Sequence, residues 1–462
     1  MQRVAGVIVA AVLLTTNPGR QLTIRSAEIF GSSGSSEQSD DRAPLDVAAL
    51  ISQARGAPPM ICALASQAIR NLGWNDWSDA PSSPLAPVMP QRRDTGPDEL
   101  STAEINQLLE ALSTNDACVR ELSVRVLGRN RGDVVVNGLV TRLTASDAGL
   151  REVASLGLGL VHSLKSVDPL IRALRDQAPG VRANSAWALG RLEAGKALSP
   201  IKDLFSDDAE KVREAAVLAA GKMDSTSSVP ALIRIVRSDQ AASVRRAAAW
   251  ALAQLESREA VDALSGALSQ DADSRVREMA AWALGDLEAR SAAATLANAA
   301  RRDADDRVRE TATWALGQIE DRSQIDVLGS IASSDRSSRV RGTAAWAIGQ
   351  MHNGGRAPAG LLQVLKDESA DARLKAAWAL GQIGDSTALP AIQDALGRED
   401  SNEVRRALIR ALIRSGGRSE RTLTSLLDSK DPAVREAAVR GLAGNNSFNP
   451  WPWPWPRPRP IP

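Results

Sequence analysis

The sequence predicts an all-α solenoid, a right-handed superhelix of about twelve two-helix repeats. Three observations predict it. The chain has 462 residues, more than one hydrophobic core usually organises (about 250–300 residues). A short phrase recurs along it at a near-constant interval, as in repeat architectures. Each recurrence encodes two helices, one short and rich in Ala and Leu, the other carrying the phrase itself.

The phrase is Val-Arg, four residues, then x-Ala-Leu-Gly. It stands at Val276 with Trp282-Ala283-Leu284-Gly285, and at Val308 with Trp314-Ala315-Leu316-Gly317. It returns at Val340 with Trp346-Ala347-Ile348-Gly349. With x as a ruler (position 0), units fall at Arg70, Arg125, Leu156, Trp187, Leu218, Trp250, Trp282, Trp314, Trp346, Trp378, Arg410 and Arg440. After a first gap of 55 residues, every step is 30 to 32 residues. The first helix of a unit is typified by Val261 to Leu268, and an Asp/Ser-rich turn follows it. Asp431-Pro432 shows a start signal for the second helix, an N-cap followed by Pro at the first helical position. The Gly closing Ala-Leu-Gly permits close packing or a helix stop.

The rest of the chain frames the array. Residues 1–16 read as an export signal, with Arg3 ahead of the apolar run Val4 to Leu14, which is too short for the ~20 residues of a membrane span. Residues 17–43 form a flexible linker, Ser/Gly-rich from Gly31 to Asp41. Residues 44–78 are a degenerate first repeat, 79–97 a Pro-rich insertion that explains the long first gap, and 98–444 the solenoid proper. The tail, 445–462, ends in Trp451, Trp453, Trp455, Arg457 and Arg459 alternating with Pro, which favours polyproline II. Cys62 and Cys118 are the only cysteines. In an exported chain they form either one disulfide or two buried thiols.

The phrase resembles the HEAT-like repeat of the phycobilisome-lyase type, whose short form runs Asp-x-x-Val-Arg and then Ala-Ala-x-Ala-Leu-Gly. The resemblance covers residues 98–444 strongly and 45–78 weakly, and it implies the fold rather than one activity. The family includes scaffolds, bilin lyases and a metal-dependent hydroxylase. The hydroxylase branch holds iron with paired His-Glu steps, whereas here His162 and His352 are the only histidines and neither precedes Glu. Similar arrays accompany membrane zinc metalloproteases, but no His-Glu-x-x-His is present. No metal and no cofactor are therefore expected.

The candidate site comes from an unusual aromatic usage. The chain has 11 Trp, no Tyr, and Phe only at Phe30, Phe205 and Phe448. On a wheel at 100° per residue, positions −6, −2, +1, +2 and +5 of each second helix form one apolar stripe. Position 0 lies roughly 140° from the centre of that stripe and is expected to be at least partly exposed. Six units place Trp there: Trp187, Trp250, Trp282, Trp314, Trp346 and Trp378. Gln254, Gln318, Gln350 and Gln382 follow one turn later, with Asp286 in the equivalent place. Two arrangements fit: rings that seal the seams between repeats, or an open inner face that binds a partner. Trp-lined grooves bind polyproline II, which makes a proline-rich peptide, including the chain's own tail, a candidate ligand. A glycan stacked on Trp is the rival ligand. The Arg of each Val-Arg phrase is expected to pair with Asp in an adjacent turn, such as Asp271 or Asp303.

Charge and motif content set the function class. Lys plus Arg total 56 and Asp plus Glu 55, so no single-sign field exists to attract nucleic acid. No nucleophile–base pair, metal cluster or phosphate loop stands out. The expectation is a non-catalytic scaffold for a protein or proline-rich peptide, exported, either free or membrane-associated through its N-terminus, with the bilin-lyase branch as the enzymatic alternative. The sequence does not set the oligomeric state.

Overall fold

The structure is a computed structural model that describes residues 46–59, 62, 100–223, 226–351 and 355–416, with eight isolated positions between 424 and 439. The export segment, the linker, the Pro-rich insertion and the tail with Trp451, Trp453, Trp455, Arg457 and Arg459 lie outside the described residues. So do Arg70, His352 and Arg440.

Two compact units divide the chain within one helix, the first ending at Ala219 and the second starting at Ala220. The first holds α1 (Val47–Ala54), α2 (Thr102–Ala111), α3 (Ala117–Leu127), α4 (Asp133–Arg142) and α5 (Ala148–Val161). It continues with α6 (Val167–Ala173), α7 (Pro179–Arg191), α8 (Leu198–Asp203) and most of α9 (Glu210–Lys222). The second holds α10 (Val229–Ser238), α11 (Ala242–Gln254), α12 (Val261–Gln270), α13 (Ser274–Asp286), α14 (Ala293–Arg302) and α15 (Asp306–Ile319). It ends with α16 (Ile325–Ser334), α17 (Ser338–Gln350), α18 (Ala359–Val364), α19 (Ala370–Ile383), α20 (Leu389–Arg398) and α21 (Asn402–Arg414). From α2 onward a shorter first helix alternates with a longer second helix. No strand occurs among the described residues, and no helix there is long and apolar enough to cross a membrane. The architecture is the all-α solenoid.

The apolar stripe builds each repeat. In α13, Val276, Ala280, Ala283 and Leu284 are fully buried and Leu287 nearly so. These are the five stripe positions. Small Ala side chains let the second helices of successive repeats approach closely, so that α11, α13, α15, α17, α19 and α21 form a continuous packed row. Local signals place the helix starts. Asp273 accepts the Arg275 N–H at 2.8 Å and Asp305 accepts the Arg307 N–H at 2.9 Å, which satisfies orphan donors of the first turn. Ser101 and Glu104 close a capping box at α2.

The second helices stop in a repeated way. Position +6 is left-handed at His162, Glu193, Glu256, Glu288, Glu320, Gly384 and Gly416. One 3₁₀ turn, such as Arg258–Ala260 or Arg290–Ala292, then leads into the next first helix. Near the amino end the sulfur atoms of Cys62 and Cys118 are bonded, with Cα atoms 5.5 Å apart. The Gly56 N–H donates to Asp116 in the same region at 2.7 Å.

Candidate functional site: the face of the second helices

The Trp residues occupy the seams between repeats. Trp250 and Trp282 are 6 % exposed, Trp314 and Trp346 are 5 % exposed, and Trp187 and Trp378 are half-buried. The expected exposure of position 0 is thus overturned for the four central rings. A single-helix wheel knows only the stripe facing the first helices. In the array, the preceding second helix supplies another wall, and the edge of the six-membered ring stands against it.

That wall is the Gly of Ala-Leu-Gly. A Cβ added to Gly285 would stand 2.8 Å from a ring carbon of Trp314 and 2.8 Å from Cβ of Ala315. On Gly317 it would meet Trp346 and Ala347, each at 2.9 Å. Gly159 and Gly349 hold Trp187 and Trp378 in the same way, each with a ring carbon at 2.5 Å. The glycine is therefore a seat for the next ring rather than a helix stop. Ala253 takes this place ahead of Trp282. A buried Trp removes 150–250 Å² from water, worth about 5 kcal/mol at ~25 cal/mol per Å².

On the opposite edge of each repeat runs an Arg–carboxylate ladder. Arg277 grips Asp303 of the following turn with two hydrogen bonds, Nε at 2.8 Å and Nη2 at 2.9 Å. Its Nη1 donates to the carbonyl of Asp271 in its own turn at 2.9 Å. Arg245–Asp271, Arg309–Asp335 and Arg373–Glu399 repeat this arrangement, and Arg151–Asp176 and Arg182–Asp207 do so in the first unit. The carboxylate also accepts the N–H two residues on, as Asp303 does from Asp305 at 3.0 Å. One Asp thus ends the first helix, shapes the turn and binds the preceding repeat. The Arg151 hydrogen bond holds the Asp176 carboxyl below its usual range, and the Arg373 hydrogen bond does the same for Glu399. These arginines are structural, as expected from their spacing.

What stays open is a polar strip at position +4, flanking the Trp edges. Gln254 is exposed, and Gln318, Gln350 and Gln382 are half-buried. Cations cap two rings: the Arg191 guanidinium lies 5.2 Å from the Trp187 centroid, and the Lys222 ammonium 5.5 Å from that of Trp250. At position −4 stand two carboxylates that sequence reasoning did not single out, Glu278 and Glu310. Burial raises both carboxyls above the usual Glu range, against the pull of Arg307 on Glu278 and of Arg339 and Lys375 on Glu310. Arg339 donates to Glu310 Oε2 at 2.8 Å. A recurring Glu at −4 (Glu121, Glu152, Glu214, Glu278, Glu310) was the available signal.

One cleft of about 630 Å³ opens between consecutive loops and is lined by Arg258, Glu259, Asp262, Glu288, Arg290 and Ser291 among others. Its acidic residues are exposed, so nothing desolvates a catalytic acid or base there. Among the described residues no three His, Cys, Asp or Glu side chains converge as metal ligands do.

Stacked two-helix units sharing one continuous core define an α-solenoid. HEAT repeats match in overlapping stretches at residues 136–221, 167–253, 202–285, 229–317, 293–359 and 357–443. The chain belongs to the HEAT-repeat family. No curated protein matches the sequence. Among solved structures, one of Kap95p with RanGDP is 14 % identical with a TM-score of 0.53, covering 86 % of this chain and 62 % of that one. An engineered protein is 20 % identical with a TM-score of 0.40, covering 74 % and 98 %. The CpcE–CpcF complex of phycocyanin lyase from Nostoc is 22 % identical with a TM-score of 0.34, covering 56 % and 98 %.

Proposed function

We propose that this protein is a non-catalytic binding scaffold that takes a protein segment, proline-rich in character, along the face of its second helices. One observation carries the reading: a polar strip left open at one register in repeat after repeat, above a floor of Trp edges. The Gln254, Gln318 and Gln382 amides stand on every second repeat and supply donors and acceptors at intervals of ~16–20 Å, twice the spacing of neighbouring helices. An extended segment can satisfy them at every second repeat, because the carbonyls of a polyproline II chain have no internal hydrogen bonds. One solved structure with a TM-score above 0.5 is of Kap95p with RanGDP, which suits protein binding. Glycan stacking needs an open ring face, and four of the six rings are 5–6 % exposed. The peptide is therefore favoured over the sugar.

The test is a titration of the 445–462 peptide, with an unrelated proline-rich peptide and a set of oligosaccharides in parallel. Saturable peptide binding that weakens when Gln254, Gln318 and Gln382 are together changed to Ala, with an unchanged melting temperature, supports the reading. Binding that ignores those changes, or is shown only by sugars, overturns it.

Export belongs to the same proposal. It is supported by the apolar run Val4 to Leu14 and by the bond between Cys62 and Cys118, because disulfides persist chiefly in oxidising compartments. Fractionation should place the protein outside the cytoplasm, with both thiols unreactive to alkylation until reduced. A cytoplasmic, alkylatable protein would overturn it.

A further inference from the structure

Two buried polar atoms on α13 and α15, Trp282 Nε1 and Glu310 Oε1, have no partner, and with the half-buried Glu278 carboxylate they define what should cover them. Glu310 binds Arg339 through Oε2, but its Oε1 is buried and accepts nothing. Trp282 is 6 % exposed, and its Nε1–H is buried and donates to nothing. Glu278 lies one turn before Trp282, half-buried, and closes no ion pair among the described residues. Glu278 and Glu310 hold the same register on consecutive helices, α13 and α15. Leaving such groups unpaired is unfavourable, and the array does not need them, since Arg246 and Gly342 stand at position −4 in other repeats.

The charge around them is uneven. Asp305, Arg307 and Arg339 face Glu278 together with Glu310. Arg339, Lys375, Asp306 and Asp371 face Glu310. Among the strongest charged influences on the two groups, themselves included, carboxylates outnumber cations. The carboxylates do not converge as metal ligands do, which points to an organic cation. The missing partners are thus cationic donors for two carboxylates and an acceptor for one indole.

One segment of this chain has that composition. Residues 445–462 contain Arg457 and Arg459 and no acidic residue, a net charge of +2. Every residue beside those arginines is Pro, so the segment is rich in carbonyls and poor in competing N–H groups. About forty residues separate Gly416 from Arg457, so reach sets no limit. Resting on the scaffold reading above, we propose that the Arg457–Arg459 segment of the tail docks on Glu278 and Glu310, its guanidinium groups on the two carboxylates and a proline carbonyl on Trp282 Nε1. Docking is within one molecule or between two, and it makes the tail either a cap on the binding face or a link between copies.

The experiment uses the full chain carrying Arg457→Gln and Arg459→Gln, so that its own tail does not compete. A synthetic 445–462 peptide is titrated into it by calorimetry. The expected result is saturable binding, at least tenfold weaker to the same chain with Glu278→Gln and Glu310→Gln, and at least tenfold weaker when the peptide carries Gln in place of both arginines. Combining the two sets of changes should lose little more than either alone. The carboxylate variants should melt no lower than their parent at pH 7, because burial already disfavours those charges, whereas a structural role would lower the melting temperature. Binding of the native peptide that ignores Glu278 and Glu310 overturns this site and leaves the scaffold reading standing. Binding of the Arg-free peptide with full affinity does the same. No saturable binding by any form of the peptide overturns tail docking altogether.

Discussion

Two seams of the second unit use the same glycine and make different use of it. At the seam between α15 and α17, Gly317 seats Trp346, and an added Cβ would meet Ala347 and the ring at 2.9 Å. At the seam between α19 and α21, Gly381 faces Arg410 instead of Trp, and an added Cβ would meet nothing closer than 3.5 Å. The sequence phrase is the same, Ala-Leu-Gly in both repeats, yet only at the first seam would an added methyl meet a ring. The difference teaches that the glycine belongs to the next repeat's residue at position 0, not to its own helix. Where Trp is present, the array trades a side chain on one helix for an aromatic ring on its neighbour.

The largest test removes a ring. Trp346→Ala should destabilise by about 3–5 kcal/mol, the usual range for a buried aromatic, measured by chemical unfolding. Trp378→Ala, whose ring is half-buried, should lose distinctly less. Equal losses would mean that burial in the seam is not what the Trp supplies. Next comes the Arg–carboxylate ladder, which is common to both kinds of seam. Arg309 is 3 % exposed and grips Asp335 with two bonds. Arg309→Ala leaves a buried carboxylate without its cation and should cost about 3 kcal/mol. The ladder also sets an acid limit. Asp176 and Glu399 have carboxyls held below their usual range by Arg151 and Arg373. Their contribution is complete above the unfolded carboxyl range (roughly pH 4) and is lost as pH falls through the lower folded values. Stability should therefore fall below about pH 4, and less steeply in a chain with Arg151→Met and Arg373→Met.

Most of the fold was legible because the repeat supplies its own control. Val at −6, Ala at −2 and +1, and Leu at +2 recur at one spacing, and the structure buries them as the wheel requires. The Arg of Val-Arg could be assigned for the same reason, since an Asp recurs at a fixed distance downstream. The exposure of Trp282 or Trp314 was not legible, because it depends on a helix some thirty residues earlier that the wheel of one helix omits. Glu278 and Glu310 were missed for a different reason. Their register holds Glu in several repeats, which reads as an ordinary solvated helix face. Only the structure shows that burial has left Glu310 Oε1 and Trp282 Nε1 without partners.

The glycine itself sharpens the comparison directly. Gly317→Ala adds a methyl where 2.9 Å is available to Ala347 and Trp346, and overpacking of this kind costs about 1–3 kcal/mol. Gly381→Ala meets only ordinary contacts and gains helix propensity of up to ~1 kcal/mol. The two variants should therefore move stability in opposite directions. Ala253, already present ahead of Trp282, shows that a seam can open far enough for one methyl, so Gly317→Ala should fold and lose stability. If both variants behave alike, the seat for the ring is not the reason for the glycine.

The smallest effect concerns how the Trp-bearing helices stop. After Trp250, Trp282 and Trp314 the left-handed residue at +6 is Glu256, Glu288 or Glu320, with φ of 48 to 50°, whereas Gly384 and Gly416 hold that place after Trp378 and Arg410. A left-handed backbone disfavours an L-residue by about 1–2 kcal/mol, and glycine escapes this. A carboxylate at a helix C-terminus also opposes the macrodipole. The greater freedom of glycine in the unfolded chain offsets part of the gain. Glu288→Gly should therefore stabilise by about 1 kcal/mol, with Glu288→Ala close to neutral because it keeps the Cβ. Urea unfolding of the two variants separates the causes. A gain in Glu288→Ala equal to that in Glu288→Gly would assign the penalty to charge at the helix end, and a loss in Glu288→Gly would show that Glu288 makes a stabilising contact through its side chain.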